Sequence, residues 1–204
     1  MGAARKLKLM SVEDYLAGEL RSSVKHEYLG GVNHAMAGAT NNHNTIAGNV
    51  FANLHSRLRG RRCRPFNSDT KLRVQLSTQT RFYYPDVSIV CHPNPPDESF
   101  QDFPAVIVEV LSRSTRRTDM GEKRDAYFKI PTLSVYVLVE QDEPGAIVFR
   151  RATDGFVSEV YEGLDAVIPL PEIETELALK DVYEGVTFIP EPDEEDEFLP
   201  SHPA

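Results

Sequence analysis

Apolar residues recur at helical spacing in two early segments of the chain, and at strand spacing in much of the rest. Residues 12–20 predict a short amphipathic helix that begins after Ser11, whose hydroxyl is a suitable N-cap. Residues 41–59 predict a longer helix with one apolar face. Between these two helices, Gly30-Gly31 separates two short segments and therefore predicts an N-terminal β-hairpin.

Seven further segments carry the apolar alternation or the continuous apolar runs of strands. They are residues 63–66, 70–76, 83–91, 105–111, 133–140, 146–150 and 156–161. Segment 105–111 is apolar on both faces except for Glu109, as is typical of a strand inside a sheet. A Pro-rich loop is expected at residues 92–104. A wrapping, extended segment is expected at residues 164–189, with a short turn near residues 179–183.

A helix is expected to follow the strand that carries Glu109. Asp119 is placed as its N-cap, Glu122 completes a capping box, and Pro131 ends the helix near Ile130. Helical spacing puts Lys123 on the same face as apolar residues, so its charged end points towards the protein. Its ammonium either extends past the apolar surface to solvent or turns inward to the carboxylate of Glu109 or to a scissile phosphate.

Asp86 and Glu109 each place one carboxylate inside an apolar strand. A charge there is costly unless it is paired or binds a metal. Two carboxylates on neighbouring strands with one lysine are the minimum set for metal-assisted phosphodiester hydrolysis. The same three residues could also form a buried lysine–carboxylate network with no catalytic role.

Charge is distributed unevenly along the chain. The net charge is −9, but residues 1–131 carry 19 Lys and Arg against 13 Asp and Glu. The half with the candidate site is therefore basic, which suits a polyanionic substrate. Five arginines lie within residues 57–64, which predicts either a phosphate-contacting patch or a solvated loop. The candidate nucleic-acid contacts are Arg59, Arg61, Arg62 and Arg64. His43, in the first turn of the second helix, is a further candidate phosphate contact.

Other signals limit the cellular setting and the chemistry. No apolar run approaches the length of a membrane span, and no secretory signal is apparent, so a cytoplasmic protein without membrane contact is expected. Cys63 and Cys91 are expected to be reduced thiols, although a single disulfide is the alternative. The histidines have no zinc-ligand spacing. Residues 190–204 have the composition of an acidic, disordered tail, for which a protein-interaction role is a third functional hypothesis.

Five stretches together resemble the Uma-two family within the PD-(D/E)XK nuclease superfamily. They are KHEYLGGVNHAMAGATNNHN, FNSDTKLRV, YYPDVSIV, VIVEVLSRSTRRTDMGEKRDAYFKIP and YVLVEQDEP. The resemblance covers about residues 11–188. It implies an α/β (α+β) fold with a restriction-endonuclease-like core, in which a mixed sheet is flanked by helices, with an N-terminal hairpin and C-terminal strands. The expected division is a flexible segment 1–10, a nuclease-like domain 11–189 and the tail 190–204.

The resemblance also implies a function and a set of site residues. Asp86 and Glu109 would hold Mg²⁺, or Mn²⁺ in its place, Lys123 would assist catalysis, and Glu27 would support the site. The expected activity is endonuclease cleavage of DNA by a homodimer, and the alternative is an inactive nuclease-like module that binds nucleic acid. One departure is clear, because Leu111 stands where the superfamily pattern has lysine, two residues after the second acid.

Overall fold

The computed structural model describes residues 9–188, and the tail predicted at 190–204 lies outside them. Within that range the chain forms thirteen strands and five short or medium α-helices. The strands are β1 (His26–Leu29), β2 (Val32–Ala35), β3 (Arg64–Asn67), β4 (Lys71–Gln75), β5 (Thr80–Tyr83), β6 (Val87–Val90), β7 (Phe100–Gln101), β8 (Pro104–Leu111), β9 (Val135–Glu140), β10 (Gly145–Ala152), β11 (Gly155–Glu162), β12 (Val167–Leu170) and β13 (Thr175–Ala178). The helices are α1 (Val12–Glu19), α2 (Asn41–Arg57), α3 (Arg116–Thr118), α4 (Arg124–Tyr127) and α5 (Leu179–Val182), with a π-helical turn (Asp119–Lys123) and a 3-10 turn (Pro171–Ile173).

Six strands form the main sheet, in the order β11-β10-β9-β8-β6-β3. Strand β8 pairs parallel with β9 and antiparallel with β6, so the sheet is mixed and β8 is interior. This agrees with the apolar character of both faces of residues 105–111. A parallel pair requires a crossover connection, and α3, the π-helical turn and α4 supply it between β8 and β9.

Apolar layers cover both faces of the main sheet. On one face, α2, α5 and the β12–β13 hairpin pack on valines of the central strands, including Val108 and Val137. On the other face, α4 and strands of a second sheet pack on Ile107, Leu111 and Tyr136. Within the described residues this second sheet has five strands in the order β2-β1-β5-β4-β7. The predicted fold class, a mixed sheet flanked by helices, is confirmed.

The N-terminal predictions are also confirmed. The Ser11 hydroxyl accepts a hydrogen bond from the amide of Asp14 and caps α1. Strands β1 and β2 form the expected hairpin, in which Leu29 pairs with Val32. Gly30 and Gly31 have φ angles of +58° and +105°, which glycine adopts without a steric penalty.

The structure differs from three predictions about the strands and the cysteines. Residues 83–91 are not one strand, because the chain leaves the second sheet after Tyr83 and enters the main sheet at Val87. The intervening Pro85 has no amide hydrogen to donate, which favours a break there. Segment 164–189 contains the β12–β13 hairpin, which the sequence pattern did not reveal. Cys63 and Cys91 form a disulfide and are not reduced thiols, because antiparallel pairing of β3 with β6 brings the two strand ends together.

Candidate metal-dependent active site

Glu109 lies near the end of β8, on the face covered by the crossover helix, and is only 3% exposed. Its Oε1 accepts a hydrogen bond from the hydroxyl of Tyr127 at 3.0 Å and lies 3.5 Å from Nζ of Lys123. Its Oε2 accepts a hydrogen bond from the backbone amide of Asp86 at 3.2 Å. Both oxygens of this buried carboxylate therefore have polar partners.

Asp86 immediately precedes β6, and the register that pairs Val87 with Val108 places it beside Glu109. Its Oδ2 accepts a hydrogen bond from the amide of Val110 at 2.8 Å. The same oxygen lies 3.4 Å from Nε2 of His43. The predicted proximity of the two strand carboxylates is thus present in the structure.

Lys123 ends the π-helical turn, and its ammonium faces three carboxylates. Nζ lies 3.2 Å from Oε1 of Glu27, 3.3 Å from Oδ1 of Asp119 and 3.5 Å from Oε1 of Glu109. The residue is 8% exposed, so its side chain does not extend to solvent. Of the two orientations that the sequence allowed, the structure has the one that reaches Glu109.

Glu27 reaches the site from β1 of the second sheet, where it is the second of four residues. The partner strand of β1, β2, is mostly exposed. The site therefore spans the junction between the two sheets and the crossover helix. This junction explains why Glu27 could not be linked to Glu109 from spacing alone.

Asp119 is a site residue that the sequence reading assigned wrongly. It does not cap a helix with Glu122, because it lies within the continuous helical segment and is only 2% exposed. The Glu122 carboxylate instead accepts a hydrogen bond from the Tyr83 hydroxyl at 2.6 Å and pairs with Arg81. The i,i+4 spacing of Asp119 to Lys123 was the available signal, since it places both residues on one helical face.

His43 lies at the start of α2 and meets the site from the opposite face of the main sheet. Burial alone would lower its pKa, but the hydrogen bond and the negative charge of Asp86 outweigh this and raise it. Its Nδ1 is buried without a hydrogen-bond partner among the described residues. The structure therefore groups His43 with Asp86, although a phosphate contact stays a prediction.

The electrostatics of the cluster are dominated by burial and crowding of charge. Burial raises the pKa of Glu109 well above its usual value; the Lys123 ammonium opposes that shift, while Asp119, Asp86 and Glu27 add to it. Burial disfavours the charged form of Lys123, yet the surrounding carboxylates raise its pKa well above the usual value. Four carboxylates thus surround one lysine and one histidine, which leaves an excess of negative charge when all four are ionised.

A cavity of about 600 Å³ opens onto this cluster. Asp86, Glu109, Lys123 and Asp119 line it, together with hydroxyl side chains from the loop after β8. Within residues 9–188, no three Asp, Glu, His or Cys side chains are arranged so that they could hold a metal between them. Mg²⁺ binds proteins through one or two carboxylates and keeps several waters, so the Asp86–Glu109 pair suits it without a third ligand.

The candidate arginines lie away from the acidic cluster. His43 and Arg57 are at opposite ends of α2, and fourteen residues of helix span roughly 20 Å. Arg61 is engaged with Glu174, whose backbone oxygen accepts a 2.5 Å hydrogen bond from it. Arg59, Arg62 and Arg64 are exposed. The structure therefore does not bring Arg59, Arg61, Arg62 and Arg64 together with Asp86 and Glu109.

A family model described as "Putative restriction endonuclease", Uma2, matches residues 12–180. The chain belongs to the Uma2 family. The chain is also similar to two uncharacterized proteins from Synechocystis sp. The protein slr1290 is 33% identical over 181 residues, which are 88% of this chain and 94% of the relative. The uncharacterized protein sll1609 is 31% identical over 137 residues, which are 66% of this chain and 76% of the relative.

A solved structure has the same fold as this Uma2 chain. It is a "putative nuclease belonging to DUF820" from Anabaena variabilis, with a TM-score of 0.68 and 20% identity, covering 86% of this chain and 98% of that chain. None of the helices in the described part of the Uma2 chain has the length and apolar character of a membrane span.

The position at which the wider superfamily has lysine holds no charge in this Uma2 protein. Leu111 is 2% exposed and packs in the same apolar cluster as Ile107 and Tyr127. The ammonium near Glu109 comes from Lys123 on the crossover helix. A cation is therefore present beside the second acid, but it is attached to a different element of the fold.

Proposed function

We propose that this Uma2 protein is an Mg²⁺-dependent endonuclease that cleaves DNA, with Mn²⁺ as an alternative cation. One observation supports this above the others: Asp86, Glu109 and Lys123, separated by up to 37 positions in sequence, meet at one open cavity. An apolar core would not need two strand carboxylates there, and their burial is costly without a cation.

The roles follow from the contacts. Asp86 and Glu109 would hold the ion, because their carboxylates are fixed by backbone amides of adjacent strands. When bound, Mg²⁺ would neutralise charge on the phosphate and make a coordinated water more acidic. Lys123, already oriented towards Glu109, would donate hydrogen bonds to the attacking water or to the phosphate oxygens as negative charge develops.

Glu27 would position Lys123, and His43 would contact both Asp86 and a phosphate group of the substrate. Glu27 would hold the Lys123 ammonium in the cavity, 3.2 Å from its own carboxylate. His43 pairs with Asp86 and lies at a helix start, where a phosphate group is favoured. Cleavage of both strands would suit a symmetric homodimer, and a cytoplasmic location would give the enzyme access to DNA.

A plasmid-cleavage assay tests the proposal. The wild-type protein is expected to nick or cut DNA with Mg²⁺ or Mn²⁺ and to stop when the metal is chelated. Glu109→Ala and Asp86→Ala are each expected to abolish cleavage while the far-ultraviolet circular dichroism spectrum is retained. Glu98→Ala, at an exposed loop acid, is the matched control and should cut normally.

Two results would contradict the proposal. Cleavage that survives in both Ala variants would show that the acids are not the metal ligands. A wild-type protein that binds DNA without cutting it under any divalent metal would favour the non-catalytic binding module instead.

A further inference from the structure

Asp119 is a buried carboxylate to which the proposed function assigns no role. Its side chain is 3% exposed, and its Oδ1 has no hydrogen-bond partner among the described residues. The group that compensates this oxygen is the Lys123 ammonium, 3.3 Å away. An isolated carboxylate at this depth would be strongly unfavourable, so the charge of Lys123 stabilises it.

The backbone of Asp119 is fixed independently of its side chain. Its carbonyl accepts a buried hydrogen bond from the Tyr136 hydroxyl at 3.1 Å, and its amide donates to the carbonyl of Thr115 at 2.9 Å. Tyr136 belongs to β9, the strand beside that of Glu109. The π-helical turn is therefore anchored to the main sheet at the residue that contacts Lys123.

Lysine needs such an anchor because its side chain has four rotatable carbons and a single charged group that tends to seek water. Glu27 and Glu109 approach the ammonium from two strands, and Asp119 approaches it from the same helical segment. The three carboxylates together limit the ammonium to one position at the edge of the cavity. Asp119 is the carboxylate that shares a backbone segment with Lys123.

We propose that Asp119 is a positioning residue that holds the Lys123 ammonium beside Glu109. The predicted effect of Asp119 on cleavage rests on the proposed function, whereas its predicted effect on the position of the Lys123 ammonium does not. Replacing Asp119 removes one of three restraints and leaves the metal ligands Asp86 and Glu109 in place. The ammonium then samples positions outside the site, and the chemical step slows while substrate binding is kept.

The first arm of the test does not depend on activity. Full-length wild-type and Asp119→Asn proteins are acetylated briefly with an amine-reactive reagent, and each lysine is quantified by peptide mass spectrometry. Lys123 is expected to react about tenfold faster in Asp119→Asn, because its local restraint is lost. Exposed Lys129 serves as the reference, and buried Lys71 reports any general loosening of the fold.

The second arm measures cleavage. Asp119→Asn is expected to lower kcat about 10- to 100-fold with little change in KM, as expected from misplacement of a catalytic group. In a Lys123→Ala background the same substitution should change kcat by less than about twofold, because the two residues act through one group. Asp125→Asn, an exposed acid of the same helical segment, is the matched control.

The labelling and cleavage measurements distinguish failure of the positioning role from failure of the proposed function. Unchanged labelling of Lys123, or equal acceleration at Lys71, overturns the positioning role whatever the activity. Multiplicative effects of Asp119→Asn and Lys123→Ala on kcat also overturn it, as does a loss of Mg²⁺ affinity in calorimetry, which would make Asp119 a ligand. If the wild-type protein cuts no DNA, the proposed function fails, and the labelling arm still decides the placement of Lys123.

Discussion

The amide of Asp86 donates a hydrogen bond to Oε2 of Glu109 at 3.2 Å, and Oδ2 of Asp86 accepts one from the amide that follows Glu109 at 2.8 Å. Each carboxylate is thus held by the backbone of the other strand. The antiparallel register of β6 and β8 produces both bonds at once, so the pair is positioned by the sheet and not by flexible side chains alone.

These hydrogen bonds predict that a substitution at Asp86 can remove its negative charge without changing the position of the side chain. Asp86→Asn keeps an oxygen that can accept the bond from Val110, so the fold should persist. Loss of one negative charge should weaken Mg²⁺ binding about tenfold or more, as measured by calorimetry. Asp97→Asn, at an exposed loop acid, should bind Mg²⁺ as the wild type does. Unchanged affinity in Asp86→Asn would remove Asp86 from the metal site.

The hydrogen bonds to Glu19 predict that the free energy of unfolding depends on pH. Burial acts to raise its pKa, but hydrogen bonds from the Tyr84 hydroxyl and from the amide and ring of His26 outweigh burial and lower it. A carboxyl with a lowered folded-state pKa stabilises the fold above its unfolded pKa, and this contribution is lost as pH falls through the folded value.

Glu19→Gln should therefore cost about 2 kcal/mol of unfolding free energy at pH 7, because a charged acceptor of several bonds is removed. The difference from the wild type should shrink as the pH falls below about 4.5. Urea unfolding at pH 7, 5, 4 and 3 measures this, with exposed Glu13→Gln as the control. A difference that stays constant across this pH range would refute the assignment.

The disulfide predicts a stability effect without an effect on cleavage. Cys63 and Cys91 are 28 positions apart, and closing a loop of that size is worth about 3–4 kcal/mol in the chain-entropy model. Reduction of the wild-type protein should lower its unfolding free energy by about this amount. The double variant Cys63→Ser/Cys91→Ser should be equally destabilised and insensitive to reductant.

Cleavage by the reduced protein should be normal at temperatures at which it stays folded. The disulfide joins the end of β6 that is distant from Asp86, since Cys91 follows the strand and Asp86 precedes it. Activity that falls on reduction without unfolding would show that the bond shapes the site.

The exposed arginines after α2 predict a salt-dependent contribution to DNA binding. If Arg59 and Arg62 contact phosphates, Arg59→Ala/Arg62→Ala should reduce the slope of log K against log salt by about 2. Fluorescence anisotropy at several salt concentrations measures the slope. Lys129→Ala removes an exposed cation from the turn after α4, a helix that packs on the other face of the sheet, and should leave the slope unchanged. An unchanged slope in the arginine variant would exclude these residues from the interface.

Local patterns predicted those parts of the fold whose residues interact with near neighbours. The capped helix α1, the Gly30-Gly31 hairpin and the helix from Asn41 depend on spacing and turn residues, so the sequence predicted them correctly. The interior position of β8 followed from its apolar faces. The break between β5 and β6 and the β12–β13 hairpin depend on which sheet receives each strand, and spacing does not encode that choice.

For the site, the sequence by itself determined that Asp86 and Glu109 were anomalous, because a charge in an apolar strand requires compensation. It also placed Lys123 on an inward helical face. The family resemblance added Glu27, and the tertiary structure decided how Glu27 reaches Lys123, that Asp119 joins the cluster, and that the arginines after α2 lie at the far end of that helix. The physical reason is that compensation of a buried charge depends on distance in space, and strand register and sheet packing bring together residues that no local pattern connects.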